Sequence, residues 1–425
     1  MSRESQHTRN YRIRGGTNVF RRIAAFRSIE FSRAIARTFP EKEITVPGAS
    51  ELGSMLQILK DLRSLKCFDY RDKIWTIIIL ANDYDVRTLP VDYQSPWESV
   101  YTKVCRWLCN RHRNLSFLQL VETKARKMQR GTDQNRPQGL PSWVPLFHVE
   151  PHFLNTFYLP RHIVRPKRSK IYYAGGSSQV ICEEIATSET VFKCKGLKIG
   201  VITVLSYPAG NLENVGTGIG ERVLHGGEWQ ALARTHCTPH DIYQPTKENV
   251  DLAFERLRTG DLFPENARRS RESVPTDLPQ PSNFAVAYAD LSSGSDQIFI
   301  DGDVSDIGNH IIRATTRRRM FITDTGYMGL THQSNLVGDE IWVLMGADMP
   351  VTLHPVSTNT PGHCIGSECR TFEFRGESYV HGIMDGEALV GARWKEDPDC
   401  PEGTSWLDDL GQESWPFSTE EIALI

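Results

Sequence analysis

The side chains best suited to acid–base chemistry lie between Ser378 and Leu389, in the stretch SYVHGIMDGEAL. Histidines and carboxylates catalyse proton transfer only when they converge on one reacting atom. Asp385 and Glu387 are two residues apart across a glycine, so on a helix they would diverge. The pattern favours a strand, a glycine-bearing turn and a helix start, with Asp385 at the N-cap and Glu387 in the first turn.

His381 of the same stretch allows either a catalytic or a structural interpretation. Between Val380 and Gly382 it suits a half-buried imidazole that hydrogen-bonds a neighbouring backbone group. A lone histidine has this role more often than that of a general base. We therefore predict no catalytic residue in the stretch.

The nine cysteines and nearby histidines offer only fragments of a metal site. One partial cluster consists of His236, Cys237 and His240, and another of His363, Cys364 and Cys369. Neither has the paired C-x-x-C spacing of a structural zinc site. We predict no metal, no cofactor and no enzymatic activity. A metal-dependent enzyme that uses Cys364, Cys369 and the C-terminal histidine and acidic residues remains the alternative.

Charge and hydropathy bear on the class of partner. The net charge is −3 and the pI about 6.5, which gives no electrostatic footprint for nucleic acid. The longest apolar run, residues 74–81, is too short to span a membrane. The first forty residues hold nine arginines but only Glu4 and Glu30 as acids, and we favour a solvated basic segment over a transit peptide. We expect a cytoplasmic protein that binds a protein partner, with no prediction of its identity or of the oligomeric state.

Helical patterns dominate the first third of the chain. Apolar residues recur at helical spacing over 54–65. Asp69 and Asp72 then mark the start of a second helix. The run Ser95-Pro96-Trp97-Glu98 is a capping box that begins a third helix.

Strand patterns dominate the rest. KIYYAG, QVICEE and TVFKCKGLKIGVITVLSY predict strands, whereas GEWQALARTHC and VDLAFERLRTGD predict helices, the second ending at Gly260. Three hairpins follow, with turns at Asp324-Thr325-Gly326, Gly346-Ala347-Asp348 and Arg375-Gly376-Glu377. The run Arg317–Arg319 is interpreted as a charged, exposed sheet edge.

The predicted fold class is α+β. It has a helical N-terminal half, antiparallel β segments in the middle and a small, C-terminal, β-barrel-like sheet of hairpins. The predicted divisions are a basic, poorly ordered segment (1–48), a helical region (49–160), a mixed β/α region (161–260), a linker or mobile loop (261–310), a β-hairpin unit (311–395) and a tail (396–425).

An ordered set of short motifs resembles a known family. CFDYRDKIWTIIILAND, VDYQSPWESVYTKV, LPSWVP, RRRMFITDTGYMGL, GDEIWVLMGADMPVTLHPV and ESYVHGIMDGEAL occur in this order. Together they resemble the region that follows the HET domain in fungal heterokaryon-incompatibility proteins. The signature residues are Asp69, Arg71, Asp72, Lys73, Tyr93, Trp143, Gly326, Gly338, Asp339, Gly346, His381, Gly382, Asp385, Gly386 and Glu387.

The resemblance implies a non-catalytic interaction or regulatory region concerned with non-self recognition and control of programmed cell death. Motifs of the HET domain itself, such as W-I-D-x-x-C-I-N-Q, do not occur in this sequence. We therefore expect a protein without the death effector domain. A fragment of a longer heterokaryon-incompatibility protein is the alternative.

Overall fold

The computed structural model describes residues 53–61, 63, 67–78, 81–121, 137, 139–149, 172–176, 178–180, 189–208, 220–236, 241–261, 314–315, 318–356, 369–389, 394–396, 405–407 and 419–425. These residues belong to two compact units. The amino-terminal unit contains residues 53–94 and 147–149 of the described chain, and the barrel unit contains the remainder. The predicted basic segment over 1–48 and, beyond Asp261, the predicted linker lie outside the described residues.

Two short helices form the amino-terminal unit. Helix α1 spans Met55–Asp61 and helix α2 spans Asp72–Ile78. Apolar side chains of both helices are buried, as helical periodicity predicts: Met55, Ile58, Leu59, Ile74, Trp75, Ile77 and Ile78. Asp69 precedes α2 and its carboxylate accepts the backbone N–H of Arg71 at 2.9 Å. The acid predicted to mark this helix start therefore lies in the turn that leads into it.

Three helices accompany the barrel unit. Helix α3 spans Trp97–His112, α4 spans Gly220–His236 and α5 spans Val250–Thr259. The Asn249 side chain accepts the Asp251 N–H at the start of α5, and Gly260 ends it in the left-handed conformation, as predicted. Shorter 3₁₀ turns, η1 and η2, span Ser116–Leu120 and Glu387–Leu389.

Eight strands form the main sheet. They are β1 (Phe192–Leu205), β4 (Arg318–Thr323), β5 (Met328–His332), β6 (Glu340–Leu344), β7 (Val351–Pro355), β8 (Arg370–Glu377), β9 (Tyr379–Val380) and β12 (Thr419–Leu424). Two small hairpins pair β2 (Ile242–Tyr243) with β3 (Glu248–Asn249) and β10 (Trp394–Glu396) with β11 (Ser405–Leu407). With helices toward the N-terminus and a large antiparallel sheet toward the C-terminus, the fold class is α+β, as predicted.

The sheet closes on itself through its longest strand. The order is β12-β8-β7-β6-β1-β4-β5-β9, and β12 also pairs with β1. Along β1, residues 192–197 pair with β12, residues 196–201 with β6 and residues 202–205 with β4. All three of these partners are antiparallel to β1. Within the described sheet, only β12 and β8 run parallel to each other. Closure leaves few unpaired strand edges in this part of the sheet.

Three buried hydroxyls stabilise the place where β8 passes into β9. Ser378 is the single residue between these strands, so the chain changes partner there from β7 to β5. Its hydroxyl lies 2.6 Å from that of Thr352 on β7 and 2.9 Å from that of Thr331 on β5. All three side chains are fully buried. Hydrogen bonding among them satisfies polar groups that would otherwise be costly to bury.

Three strand predictions are wrong. Arg375-Gly376-Glu377 is no turn, because Glu377 pairs with Val351 and β8 runs through it. Residues 172–175 of the predicted KIYYAG strand form a loop, because the N–H groups of Tyr173 and Ala174 donate to loop carbonyls of Met384 and Asp348. The arginine run is no exposed edge, because β4 lies between β1 and β5; its Arg318 is buried and donates to the Ala314 carbonyl at 2.9 Å.

Helices α4 and α5 cover one face of the β4–β5–β9 part of the sheet. Their buried side chains share a core with those strands: Trp229, Ala233, Val250, Ala253, Phe254, Leu257, Met320, Ile322, Met328, Leu330 and Tyr379. A second core of aliphatic residues with Phe321 fills the opposite side of the strands. The sheet is thus packed on both faces here. Eight of the twelve residues of the SYVHGIMDGEAL stretch are buried, whereas Asp385 is exposed.

Candidate functional site

His381 lies in the interior of the barrel unit and is only 2% exposed. Its Nε2 is 2.6 Å from Glu248 Oε1 and its Nδ1 is 3.0 Å from the Tyr379 hydroxyl. Because an ionised carboxylate can only accept, the Nε2–H donates to Glu248. The prediction of a half-buried ring bonded to a neighbouring backbone group is wrong. The ring is fully buried and both of its nitrogens bond to side chains.

Glu248 receives hydrogen bonds from three directions. Besides His381, the Thr246 hydroxyl lies 2.6 Å from Oε1 and the Arg256 guanidinium 3.1 Å from Oε2. Burial by itself raises the pKa of this carboxyl group, but the hydrogen bonds from His381 and Thr246 and the charge of Arg256 outweigh burial, and the net pKa is lowered. Glu248 is therefore ionised at neutral pH.

Tyr243 completes the attachment of residues 241–261 to the sheet. Its hydroxyl donates to the His381 carbonyl at 2.9 Å and accepts the Met328 N–H at 3.1 Å. We call Tyr243, Glu248, Tyr379 and His381 the barrel clamp. It joins β2, β3 and the start of α5 to strands β5 and β9.

The barrel clamp has the composition of an acid–base site but a different geometry. A general base must reach the proton that it abstracts from a substrate. Tyr243, Tyr379 and His381 are buried, and both imidazole nitrogens are engaged within the protein. The arrangement fixes the orientation of the ring and stabilises the contact between two parts of the fold.

Gly382, which follows His381, has a backbone conformation and surroundings that disfavour any larger residue. Its φ is +97°, and a Cβ atom there would lie 2.8 Å from Thr246 Cγ2. The other signature glycines also have positive φ: Gly326, Gly338, Gly346 and Gly386.

Asp385 does not directly precede the following turn, since η2 begins at Glu387 after Gly386. Glu387 instead accepts the Asp385 N–H with its own carboxylate at 2.5 Å.

The remaining barrel signatures, Asp339 and Trp143, are also buried. Asp339 accepts the Leu336 N–H at 2.8 Å and lies 2.6 Å from His354 Nδ1, which fixes the turn before β6. Trp143 donates its indole N–H to the Thr190 carbonyl at 3.1 Å and packs beside Phe192. The structure does not bring either residue to the barrel clamp as a hydrogen-bonding partner.

The signature residues of the amino-terminal unit lie at its surface, apart from Lys73. The Arg71 guanidinium binds both carboxylate oxygens of Asp69, at 3.0 and 2.7 Å, and these hydrogen bonds lower the pKa of Asp69. Arg71 also donates to the Tyr93 carbonyl. The Tyr93 hydroxyl donates to Asp72 at 2.7 Å, and that bond together with burial raises the Tyr93 pKa to about 12. Lys73 is buried, with its ammonium 2.9 Å from the Arg63 carbonyl.

Metal ligands do not converge within the described part of the chain. No group of three or more His, Cys, Asp or Glu residues there is placed to hold a metal ion. His236 and Cys369 are described, whereas Cys237, His240, His363 and Cys364 lie outside the described residues. Among the described helices, none is long and apolar enough to cross a membrane.

Comparison with known proteins finds similarity over part of the barrel unit. Residues 297–397 match the family model of the Het-6 beta-barrel domain. Heterokaryon incompatibility protein 6, OR allele, of Neurospora crassa is 24% identical over 369 residues, which cover 77% of this chain and 50% of that protein. The chain thus spans about half the length of the curated relative that it matches. No solved structure matches it.

The two matches confirm the resemblance to fungal heterokaryon-incompatibility proteins. They also place the SYVHGIMDGEAL stretch inside the Het-6 β-barrel match. Sequence reasoning found His381 but missed Glu248, Tyr243 and Thr246. No local pattern marks these residues, because Glu248 and His381 are 133 positions apart.

Replacement of Glu248 is expected to lower the free energy of unfolding at neutral pH more than in acid. A carboxyl group with a lowered folded-state pKa stabilises the fold above its unfolded pKa of about 4.3, and this contribution is lost as pH falls through the folded value. Glu248→Gln should therefore reduce the free energy of unfolding by about 1–3 kcal/mol at pH 7, with the deficit shrinking in acid. Urea unfolding between pH 7 and pH 3 measures this.

Asp251→Asn is the control, because its salt bridge with Arg234 lies at the surface and should contribute less than about 1 kcal/mol. A deficit of Glu248→Gln that stays constant across this pH range would contradict the ionised state assigned to Glu248.

Gly382→Ala is expected to destabilise through two separable effects. The positive φ costs about 1–2 kcal/mol, and the new Cβ overlaps the Thr246 methyl group. Thr246→Ser removes that methyl group and keeps the hydroxyl for Glu248, so it should recover part of the loss. Thermal unfolding of the single and double variants measures the recovery.

Gly326→Ala is the matched control, since its φ is +83° and no atom lies near its Cβ position. If the stability changes of the Gly382 and Thr246 substitutions were strictly additive, the new Cβ and the Thr246 methyl group would not overlap.

Proposed function

We propose that this chain is a non-catalytic interaction or regulatory region of a heterokaryon-incompatibility-like protein. In this role it takes part in non-self recognition and influences the control of programmed cell death. The Het-6 β-barrel match and the Neurospora crassa relative support the family context.

The observation that carries the proposal is a difference in exposure between signature side chains of the two units. In the barrel unit, the side chains of His381, Asp339 and Trp143 are buried and bond to other side chains or backbone groups of the same unit. Those of the amino-terminal unit include exposed polar and aromatic groups, such as Tyr93. A buried barrel that holds its own polar groups suits a scaffold, and an exposed signature suits recognition.

A heterokaryon assay tests the proposal. The 425 residues are expressed from an inducible promoter in one of two incompatible fungal strains, and the survival of fused cells is counted. We expect the chain to change the extent of the incompatibility reaction and to cause no dose-dependent death when expressed in an unfused strain.

Gly329→Leu provides the control for expression of a misfolded chain. A side chain at this position would overlap the Phe321 ring and the Tyr379 carbonyl. Equal effects of the wild-type chain and this variant on fused cells would contradict the proposal. Strong death of unfused cells with the wild-type chain alone would also contradict it, because it would indicate effector activity.

A further inference from the structure

The amino-terminal unit exposes apolar side chains beside its signature residues. Phe68 is fully exposed, and Val91 and Tyr93 are 50% and 44% exposed. Tyr70 is 42% exposed. Single exposed apolar residues are common, but several that lie close together are typical of interaction surfaces. We call Phe68, Tyr70, Val91 and Tyr93 the aromatic surface.

Arg71 makes this surface continuous. Its guanidinium lies 5.4 Å from the centroid of the Tyr93 ring and donates to the Tyr93 carbonyl. On its other side it binds Asp69, the neighbour of Phe68. The turn that carries Phe68 and the segment that carries Val91 and Tyr93 are therefore held side by side through one arginine.

The rings of Tyr70 and Tyr93 are held before any partner binds. Tyr70 stacks on His148, with 3.8 Å between ring centroids and 8° between planes. The Tyr93 hydroxyl is bound to Asp72 and, with a pKa of about 12, stays protonated as the donor at physiological pH. Burial, with Lys73 and Arg63 nearby, lowers the His148 pKa to about 4, so the stacked imidazole is neutral. Rings that are already ordered lose little entropy on binding.

The charge around the aromatic surface is negative. Asp69, Asp72 and Asp92 lie at or beside it, and Arg71, which is itself half-buried, is paired with Asp69. Lys73 does not offset them at the surface, because it is buried with its ammonium on the Arg63 carbonyl. A complementary ligand supplies apolar contact for Phe68 and positive charge for the aspartates.

We propose that the aromatic surface binds a partner polypeptide that presents an apolar side chain next to arginine or lysine. This inference rests on the proposed interaction function and gives the partner its chemistry. Phe68 and Tyr93 supply apolar contact area, and Asp72 provides the carboxylate that the partner's cation approaches.

Selection of short random peptides on the purified full-length chain tests this inference. The enriched peptides are synthesised, and their Kd values are measured by fluorescence polarisation at low and at physiological salt. Three variants are compared with the wild-type chain. Phe68→Ser removes the exposed ring, Asp72→Asn removes a charge but keeps an acceptor for Tyr93, and Val337→Ser is a control at an exposed apolar residue of the barrel unit.

We expect enriched peptides that combine an aromatic or aliphatic residue with arginine or lysine. Their affinity should fall about tenfold or more for Phe68→Ser, which corresponds to about 1.4 kcal/mol. Asp72→Asn should reduce the salt dependence of binding, and Val337→Ser should change nothing.

Three results would overturn the inference: enriched peptides that are acidic or uncharged, binding that is unaffected by Phe68→Ser, or self-association of the wild-type chain that Phe68→Ser abolishes in sedimentation. The last would show that a second copy covers the surface. Since the peptide measurement uses purified protein, its failure leaves the heterokaryon assay untouched, and the reverse also holds.

Discussion

The bond between the buried His381 and the half-buried Glu248 is the interaction on which the barrel unit most depends. It connects a residue of the closed sheet with a residue of the β2–β3 hairpin at 2.6 Å. Taking a carboxylate out of water is costly unless charged or hydrogen-bonding partners replace the water. Thr246, Arg256 and His381 all do so here, so loss of any one of them leaves the half-buried carboxylate of Glu248 with fewer partners.

The position of this pair follows from the closure of the sheet. Ser378 lets the chain pass from β8 to β9, and its hydroxyl bonds to those of the strands on either side. His381 comes directly after β9, with its N–H on the Met328 carbonyl. The imidazole ring therefore points toward the β2–β3 hairpin, where its Nε2 bonds to Glu248. The histidine, glycines and acids of SYVHGIMDGEAL are thus explained by backbone geometry and by one inter-element contact.

Elements whose signals lie within a few neighbouring residues were predicted correctly from the sequence. Predictions were wrong or missing where the structure depends on residues far apart in the chain. Helix α5 was predictable because its apolar spacing and Gly260 lie within a dozen residues, and the Asp324-Thr325-Gly326 and Gly346-Ala347-Asp348 turns carry their own glycines. The path of β8 through Gly376 was not predictable, since pairing with β7 and β12 overrides the local turn signal. Nor could any local pattern pair His381 with Glu248. The domain boundaries remain predictions.

The central claim is that His381 acts as a structural link between the barrel and residues 241–261. Hydrogen exchange of the α5 backbone amides, compared between the wild-type chain and His381→Phe, tests it most directly, because phenylalanine keeps a ring but loses both hydrogen bonds. We expect faster exchange in α5, by about tenfold or more for a loss of about 1.4 kcal/mol or more, with little change in β6 and β7. Unchanged exchange in α5, or an equal increase in α5, β6 and β7, would contradict it.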